Sequence, residues 1–110
     1  MLRFTIAYQT TSGLRAGNED AYLVKELNDT GLFVAVADGL GGEPHGDIAS
    51  NSALAAIQKY LTRIHPDTLK KENLRKILSE CFELAQYTIR QQIMDHDEFR
   101  GMATTLSAVL

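Results

Sequence analysis

Three short stretches of the chain have the hydrophobic pattern of β-strands. Residues 3–9 alternate apolar and polar side chains, which predicts a half-buried strand. Residues 21–27 form a second candidate strand, and residues 28–31 that follow are typical of a turn. Residues 32–37 are apolar without alternation, which predicts a strand buried on both faces. The last two strands and the turn between them therefore predict a hairpin.

After Pro44 the hydrophobic period changes to that of α-helices. A first helix is predicted over about 47–63 and a second over about 70–94, and the short connection around Pro66 predicts that they pack antiparallel. The inner stripe of the first helix is predicted to be Ala49, Ala53, Ala56, Ile57, Tyr60 and Ile64. That of the second helix is predicted to be Leu74, Ile77, Leu78, Cys81, Leu84, Ala85, Thr88 and Ile89. Residues 104–110 predict one more strand, so the pattern as a whole predicts an α+β fold in which a helix pair covers a sheet.

Length, charge and cysteine content narrow the classes of protein to which the chain can belong. Its 110 residues allow one domain, and a hydrophobic content of 45% is ordinary for a globular protein. A net charge of −3 disfavours nucleic-acid binding, which usually needs a basic face. No apolar run approaches the roughly 18 residues of a membrane span, the first residues lack the apolar stretch of a signal peptide, and Cys81 has no second cysteine to pair with. We therefore expect a cytoplasmic protein that binds neither nucleic acid nor membrane.

Two acidic, glycine-bearing segments carry the candidate chemistry. Residues 38–42 read Asp-Gly-Leu-Gly-Gly and follow the apolar strand, so Asp38 lies at a strand end in a turn too rich in glycine to serve packing alone. Upstream, residues 15–20 read Arg-Ala-Gly-Asn-Glu-Asp. One guanidinium, three carboxylates and a bare glycine backbone suit a hard divalent cation beside a phosphate. The glycines lack the spacing of a dinucleotide-binding loop, so that rival function is discounted.

These segments resemble motifs of the metal-dependent protein serine/threonine phosphatases, the PP2C or PPM family. The matching stretches are Arg-Ala-Gly-Asn-Glu-Asp-Ala at 15–21, Val-Ala-Asp-Gly-Leu-Gly-Gly at 36–42, Gly-Asp-Ile-Ala-Ser at 46–50 and Gly-Met-Ala-Thr-Thr-Leu at 101–106. Each is weak alone, but together they occur in the order and at the spacing of the family. The resemblance implies a β-sandwich of two mostly antiparallel sheets flanked by antiparallel helix pairs. Residues 1–110 would form only the N-terminal portion of that catalytic domain.

The resemblance also implies a role for each candidate residue. Asp38 would bridge two Mg²⁺ or Mn²⁺ ions, the Gly39 carbonyl would ligate one of them, and Glu19 would face one metal directly or through water. Asp20 would support this network, and Arg15 would clamp the substrate phosphate with its planar fork of donors. Arg15 and Asp38 are thus the implied catalytic residues. The implied reaction is hydrolysis of phosphoserine or phosphothreonine esters in a protein substrate by a metal-activated water.

Simpler explanations exist for the same residues. Aspartate is common in tight turns, Glu19 and Asp20 could form a solvated acidic pair, and Arg15 could pair with Glu19 at the surface. The histidines lack the spacing of metal ligands, so we expect surface positions for them; they are His45, His65 and His96. Cys81 lies on the inner stripe of a helix and is expected to be inert core.

The chain departs from the family pattern at several points. Leu40 stands where some relatives have a histidine as candidate general acid, Glu43 stands where histidine is frequent, and Ala103 replaces a usual glycine. The later aspartates that complete the metal site of the family are not in this sequence. We therefore expect the 110 residues alone to be a poor catalyst, with an exposed apolar strand that favours self-association or partial disorder. The alternative function is a non-catalytic, truncated phosphatase-like module that binds a partner.

Overall fold

The structure of the chain is a computed structural model that describes residues 6–11, 13, 18–27, 31–40 and 45–110. The described strands are β1 (Asp20–Glu26), β2 (Leu32–Gly39) and β3 (Thr104–Val109). The helices are α1 (Gly46–Arg63) and α2 (Leu74–Asp95). Three single 3₁₀ turns complete the regular structure of the described residues, at Pro66–Thr68, Lys71–Asn73 and Asp97–Phe99. The two predicted helices and the predicted strands at 21–27, 32–37 and 104–110 are therefore confirmed to within a few residues.

The three described strands form one antiparallel sheet in the order β1-β2-β3. The β1–β2 pair is the predicted hairpin, and the Leu27 amide donates to the Gly31 carbonyl at 3.0 Å where the hairpin closes. The predicted turn residues 28–30 themselves lie outside the described residues. In the register of the sheet, Asp38 at the end of the central strand faces Asp20 on one neighbour and Thr105 on the other. The sheet therefore brings three of the four sequence motifs together at one end of its strands.

The central strand β2 is buried on one face only. Phe33, Ala35 and Ala37 are buried, whereas Val36 between them is 52% exposed. The prediction of a strand buried on both faces is therefore wrong for this structure. The physical reason is that α1 packs on β1 and β2 from one side, and the described residues do not bury the opposite side of β2 in the same way.

The predicted strand at 3–9 is not found in the part of it that the structure describes. Residues 6–9 belong to no strand, and residues 3–5 lie outside the described residues. Alternation marks which side chains face water, but a strand also needs a neighbour that accepts its hydrogen bonds. Tyr8 instead remains 60% exposed, with its ring 4.9 Å from that of Tyr22.

The two helices pack antiparallel, as their short connection predicts. Ser52 near the start of α1 accepts a hydrogen bond at 3.0 Å from Gln92 near the end of α2. Tyr60 near the end of α1 donates to the Glu80 carboxylate near the start of α2. This crossed pattern is possible only when the helices run in opposite directions. Among the described residues, neither helix has the length and apolar character needed to cross a membrane.

The core lies between the helix pair and the sheet. Its largest fully buried side chains include Phe33 from β2, Ile57 from α1 and Cys81 from α2. Cys81 is fully buried, so its predicted core position is confirmed. Burial, together with the Glu80 carboxylate, raises the pKa of its thiol to about 11. Of the predicted inner stripes, Ala49, Ala53, Ile57, Ile77, Cys81 and Ala85 are buried. Two further leucines of α1, Leu54 and Leu61, are also buried and were missed by the predicted stripe.

Candidate metal-binding site

Asp38 lies at the exposed end of β2, where the chain leaves the sheet. Its backbone is held by Thr105 of β3, whose hydroxyl lies 3.3 Å from both the amide and the carbonyl of Asp38. Two residues later, the Leu40 amide donates to the Ala103 carbonyl at 3.2 Å. The backbone is thus fixed from the β3 side, while the Asp38 carboxylate remains accessible to a ligand.

Gly39 occupies a place that no other residue can fill without a shift of the backbone. Its amide donates to the Glu19 carbonyl at 3.0 Å. A Cβ atom built on Gly39 would lie 2.4 Å from the Gly46 carbonyl oxygen and 2.9 Å from the Glu19 carbonyl oxygen. Both obstacles are backbone atoms, which cannot rotate away as a side chain can. The absence of a side chain at Gly39 therefore lets the end of β2, the start of α1 and Glu19 meet.

The Glu19 side chain points into this junction. Its Oε2 atom is buried and has no hydrogen-bond partner among the described residues. A Cβ atom built on Gly46 would lie 3.2 Å from Glu19 Cδ and 3.2 Å from Oε2, so the carboxylate lies against the bare backbone at the start of α1. A buried carboxylate oxygen without a donor is unfavourable on its own, because it has lost its water shell without a replacement. A cation is one group that would compensate this loss.

Asp20 and its neighbours form the β1 side of the site. The Asp20 amide donates to the Asn18 side-chain oxygen at 3.0 Å, which fixes the entry of the chain into β1. The Asn18 amide group in turn donates to the Thr10 hydroxyl at 2.8 Å. Asp20 on β1 is the register partner of Asp38 on β2. The predicted supporting residue therefore lies on the neighbouring strand, directly opposite the predicted metal ligand.

The remaining candidate residues are three that the structure does not describe and the three histidines. Arg15, Gly41 and Gly42 are outside the described residues. His65 and His96 are exposed and lie beside the carboxylates of Asp67 and Glu98, at 3.6 and 3.7 Å. His45 does not have the predicted surface position, because it is half-buried. Its backbone is in the left-handed region, and its ring centroid lies 5.1 Å from that of Phe99.

The donor set fits part of a site for a hard divalent cation. The predicted ligand atoms are the Asp38 carboxylate, the Gly39 carbonyl and the Glu19 carboxylate, and all of them are oxygens, which Mg²⁺ and Mn²⁺ prefer. Among residues 18–27, 31–40 and 45–110, no group of three or more histidine, cysteine or acidic side chains is arranged to hold a metal. The described oxygens would supply at most one side of a ligand set, and the buried Glu19 oxygen that lacks a partner among the described residues is the observation that fits one.

Sequence reasoning missed two hydroxyl groups that hold this junction together. The Ser50 hydroxyl donates to the Glu19 carbonyl at 2.7 Å, and the Thr105 hydroxyl contacts the Asp38 backbone. Both residues lie inside the motifs at 46–50 and 101–106, so the motifs marked the segments, whereas only the fold shows which atoms meet.

Comparison with known proteins identifies the class of protein that this fold and site define. Residues 12–110 match the sequence profile of the protein phosphatase 2C family. The chain belongs to the protein phosphatase 2C family, and members of this family are generally metal-dependent.

The similar proteins include bacterial serine/threonine phosphatases. The serine/threonine protein phosphatase PstP of Mycobacterium tuberculosis is 30% identical over 100 residues, which cover 86% of this chain and 18% of PstP. The crystal structure of PstP/Ppp from Mycobacterium tuberculosis has a TM-score of 0.66 and 32% identity, over 88% of this chain and 37% of that one. Serine/threonine phosphatase Stp1 from Staphylococcus aureus has a TM-score of 0.79 over 92% of this chain and 39% of its own, and at 20% identity it supports the fold alone. The chain therefore spans less than half the length of the relatives that it matches.

Proposed function

We propose that this chain is part of a metal-dependent protein serine/threonine phosphatase, which hydrolyses phosphoserine and phosphothreonine esters. The observation that carries the proposal is the buried Glu19 carboxylate oxygen, which has no partner among the described residues, at the junction of Gly39 and Gly46. Family membership supports the same function, since the similar proteins are serine/threonine phosphatases.

Three residues of the chain would hold the metal ions. The Asp38 carboxylate, the Gly39 carbonyl and the Glu19 carboxylate would hold Mg²⁺ or Mn²⁺, with Asp20 as support. When bound, the ions supply a water molecule acidified for attack on phosphorus and positive charge for the phosphate oxygens. The contribution of the chain is to hold these oxygen ligands on a backbone that the sheet and α1 already fix, so that little reorganisation accompanies binding.

Arg15 would bind the substrate phosphate. A guanidinium group presents two parallel N–H donors to two phosphate oxygens, which gives both charge and orientation. Arg15 lies outside the described residues, so this role rests on its position four residues before Glu19 in the motif at 15–21. Its partner in this proposal is the phosphoryl group of a phosphorylated protein.

The proposal is tested by Mn²⁺ binding to the full-length protein that carries these residues. Asp38→Asn keeps the shape of the side chain and removes its charge, so Mn²⁺ affinity should fall by about tenfold or more, as is typical when metal-site residues are altered. Asp67→Asn is the matched control, because the Asp67 carboxylate is exposed and pairs only with His65 among the described residues. Titration calorimetry on the wild type and both variants measures the three affinities.

Each result of this titration has a defined meaning. Loss of affinity in Asp38→Asn and wild-type affinity in Asp67→Asn would support the proposal. Equal affinities in the two variants would reject Asp38 as a ligand. A wild-type protein that binds no Mn²⁺ would instead favour the alternative function, a non-catalytic module that binds a partner.

A further inference from the structure

Ser50 is the only polar residue that is fully buried among the described residues, with 0% of its surface exposed. It lies in the first turns of α1, at the end of the helix that meets the candidate metal-binding site. Burial of a hydroxyl costs free energy unless a hydrogen bond replaces its water. A core alanine or glycine would avoid that cost at this position, so the contacts of the Ser50 hydroxyl indicate what it does there.

The Ser50 hydroxyl binds the backbone of a residue in the site. Its Oγ atom lies 2.7 Å from the Glu19 carbonyl oxygen and 3.1 Å from the Asp47 carbonyl oxygen of its own helix. The hydroxyl carries one proton, and the shorter contact is the one to Glu19. A serine that merely bonded back to its own helix would have its best contact there instead.

The Glu19 carbonyl accepts two hydrogen bonds, from different elements. The second donor is the Gly39 amide at the end of β2, at 3.0 Å. One oxygen atom therefore joins the start of β1, the end of β2 and the start of α1. Two donors fix the plane of the peptide that follows Glu19, and this plane contains the Glu19 Cα atom from which the side chain leaves the backbone.

We propose that Ser50 is a positioning residue that sets the Glu19 carboxylate and the Gly39 backbone in place for metal binding. The proposal rests on the proposed function, because it assigns Ser50 to the site described above. Ser50 does not touch the metal or the substrate in this account. It acts through the Glu19 carbonyl, and the Glu19 carboxylate then lies against Gly46, where a Cβ atom would come within 3.2 Å of Oε2.

The test compares substitutions at two serines of α1 in the full-length protein. Ser50→Ala removes the hydroxyl donor, and Ser50→Cys replaces it with a weaker one of similar shape. Ser52→Ala is the matched control, because it removes a serine hydroxyl that bonds Gln92 of α2, away from the site. Loss of one hydrogen bond should raise the Kd for Mn²⁺ about three- to tenfold in Ser50→Ala, with Ser50→Cys between Ser50→Ala and the wild type and Ser52→Ala unchanged.

A second measurement needs no metal and separates this proposal from the proposed function. Hydrogen exchange of the Gly39 amide, followed by NMR in metal-free protein, should be about three- to tenfold faster in Ser50→Ala than in the wild type or in Ser52→Ala. The Ala49 amide, which bonds the His45 carbonyl inside α1, serves as an internal reference and should not change. If Ser50→Ala does not fold, Ser50→Cys carries both measurements.

The outcomes are distinguishable. Faster Gly39 exchange together with weaker Mn²⁺ binding, confined to the Ser50 variants, supports the proposal. Unchanged Gly39 exchange and unchanged Mn²⁺ affinity in the Ser50 variants overturn it, even if the wild type binds Mn²⁺ well. Equal losses in Ser50→Ala and Ser52→Ala overturn it as well, because the serines would then only stabilise α1. Absence of Mn²⁺ binding in the wild type overturns the metal-site role together with the proposed function.

Discussion

At the scale of single residues, two glycines and one carboxylate determine the geometry of the site. Gly39 and Gly46 face each other so closely that neither has free space for a full side chain. Their bare backbones let Glu19 approach the start of α1, where one of its carboxylate oxygens is buried and has no donor in the part of the chain that the structure describes. Gly39, Gly46 and Glu19 therefore come together from three separate sequence motifs.

Substitution of Gly39 should damage the fold. In Gly39→Ala, the new Cβ would lie 2.4 Å from the Gly46 carbonyl oxygen, so one of two backbone segments must move. Overpacking of this kind typically costs about 1–3 kcal/mol. Urea unfolding followed by circular dichroism should show that loss, and an unchanged midpoint would contradict the close approach of β2 and α1.

Substitution of Gly46 should instead affect the metal site. In Gly46→Ala, the new Cβ would come within 3.2 Å of the end of the Glu19 side chain, which can rotate, and within 3.3 Å of the Gly39 carbonyl carbon, which belongs to the backbone. Gly46 is the first residue of α1, so alanine gains less there than the about 1 kcal/mol by which it is favoured over glycine in a helix interior. We therefore expect a smaller loss of stability than in Gly39→Ala by urea unfolding, together with weaker Mn²⁺ binding by calorimetry. Normal Mn²⁺ affinity in a stable Gly46→Ala variant would argue against Glu19 as a ligand.

Arg15 should matter for phosphate and not for metal. In the active full-length protein, Arg15→Ala should weaken inhibition by free phosphate, because a hydrogen bond to a charged group contributes roughly 1.5–3 kcal/mol. Arg75→Ala, at an exposed position of α2, is the matched control. The inhibition constant for phosphate and the Kd for Mn²⁺ are measured on both variants. An unchanged inhibition constant in Arg15→Ala would remove Arg15 from the phosphate site.

At the scale of elements, the helices and the hairpin follow from the sequence because their signals are local. The period of apolar residues predicts α1 and α2, Pro66 marks the break between them, and the alternation of two strands around a turn predicts the hairpin. The failures at 3–9 and on the outer face of β2 share one cause. A strand and its burial depend on which other segments lie beside and above it, and the pattern of one segment does not contain that information.

The candidate site also combines a feature with a local sequence signal and contacts that only the folded chain creates. Asp38 could be predicted because a carboxylate in a glycine turn after an apolar strand is a local signal. The bonds from Ser50 to Glu19 and from Thr105 to Asp38 join residues 31 and 67 positions apart, so only the folded chain places those atoms together. The unpartnered Glu19 oxygen likewise depends on three elements meeting.

The helix pair should protect the single cysteine. Burial and the Glu80 carboxylate raise the pKa of Cys81 from 9.0 to about 11, so the thiol remains protonated in the folded protein at pH 8. Iodoacetamide should therefore modify Cys81 much more slowly in the folded protein than in urea, since the thiolate is the reactive form. Mass spectrometry follows the reaction, and equal rates in the two states would show that Cys81 is not in the core.

The raised pKa of the Cys81 thiol also predicts how the stability of the protein changes with pH. A group that holds its proton more tightly when folded contributes stability that is complete below its unfolded pKa and is lost as pH rises through its folded pKa. For Cys81 the loss falls between about pH 9 and about pH 11. Urea midpoints measured across that range should fall less in Cys81→Ala than in the wild type, and parallel curves would contradict the assignment.

At the scale of the whole molecule, the described residues form a sheet with a helix pair on one face. The other face of the sheet exposes apolar side chains, among them Tyr22, Val36 and Val109. In the protein phosphatase 2C family, to which the chain belongs, the comparison structures extend well beyond the part matched here, which is 37–39% of each. The candidate ligands of this chain lie together at one end of the sheet. Because the chain matches less than half of each comparison structure, activity should be measured on the full-length protein.

The most direct test of the account is Mn²⁺-dependent hydrolysis of a phosphothreonine peptide by the full-length protein. The wild type should release phosphate only when Mn²⁺ or Mg²⁺ is present. Asp38→Asn should lower the rate about 100-fold or more, given that altering even the partners of metal ligands typically costs about 10–100-fold, while Asp67→Asn should match the wild type. Hydrolysis at the wild-type rate by Asp38→Asn, or by the wild type after complete removal of divalent metal, would contradict the account.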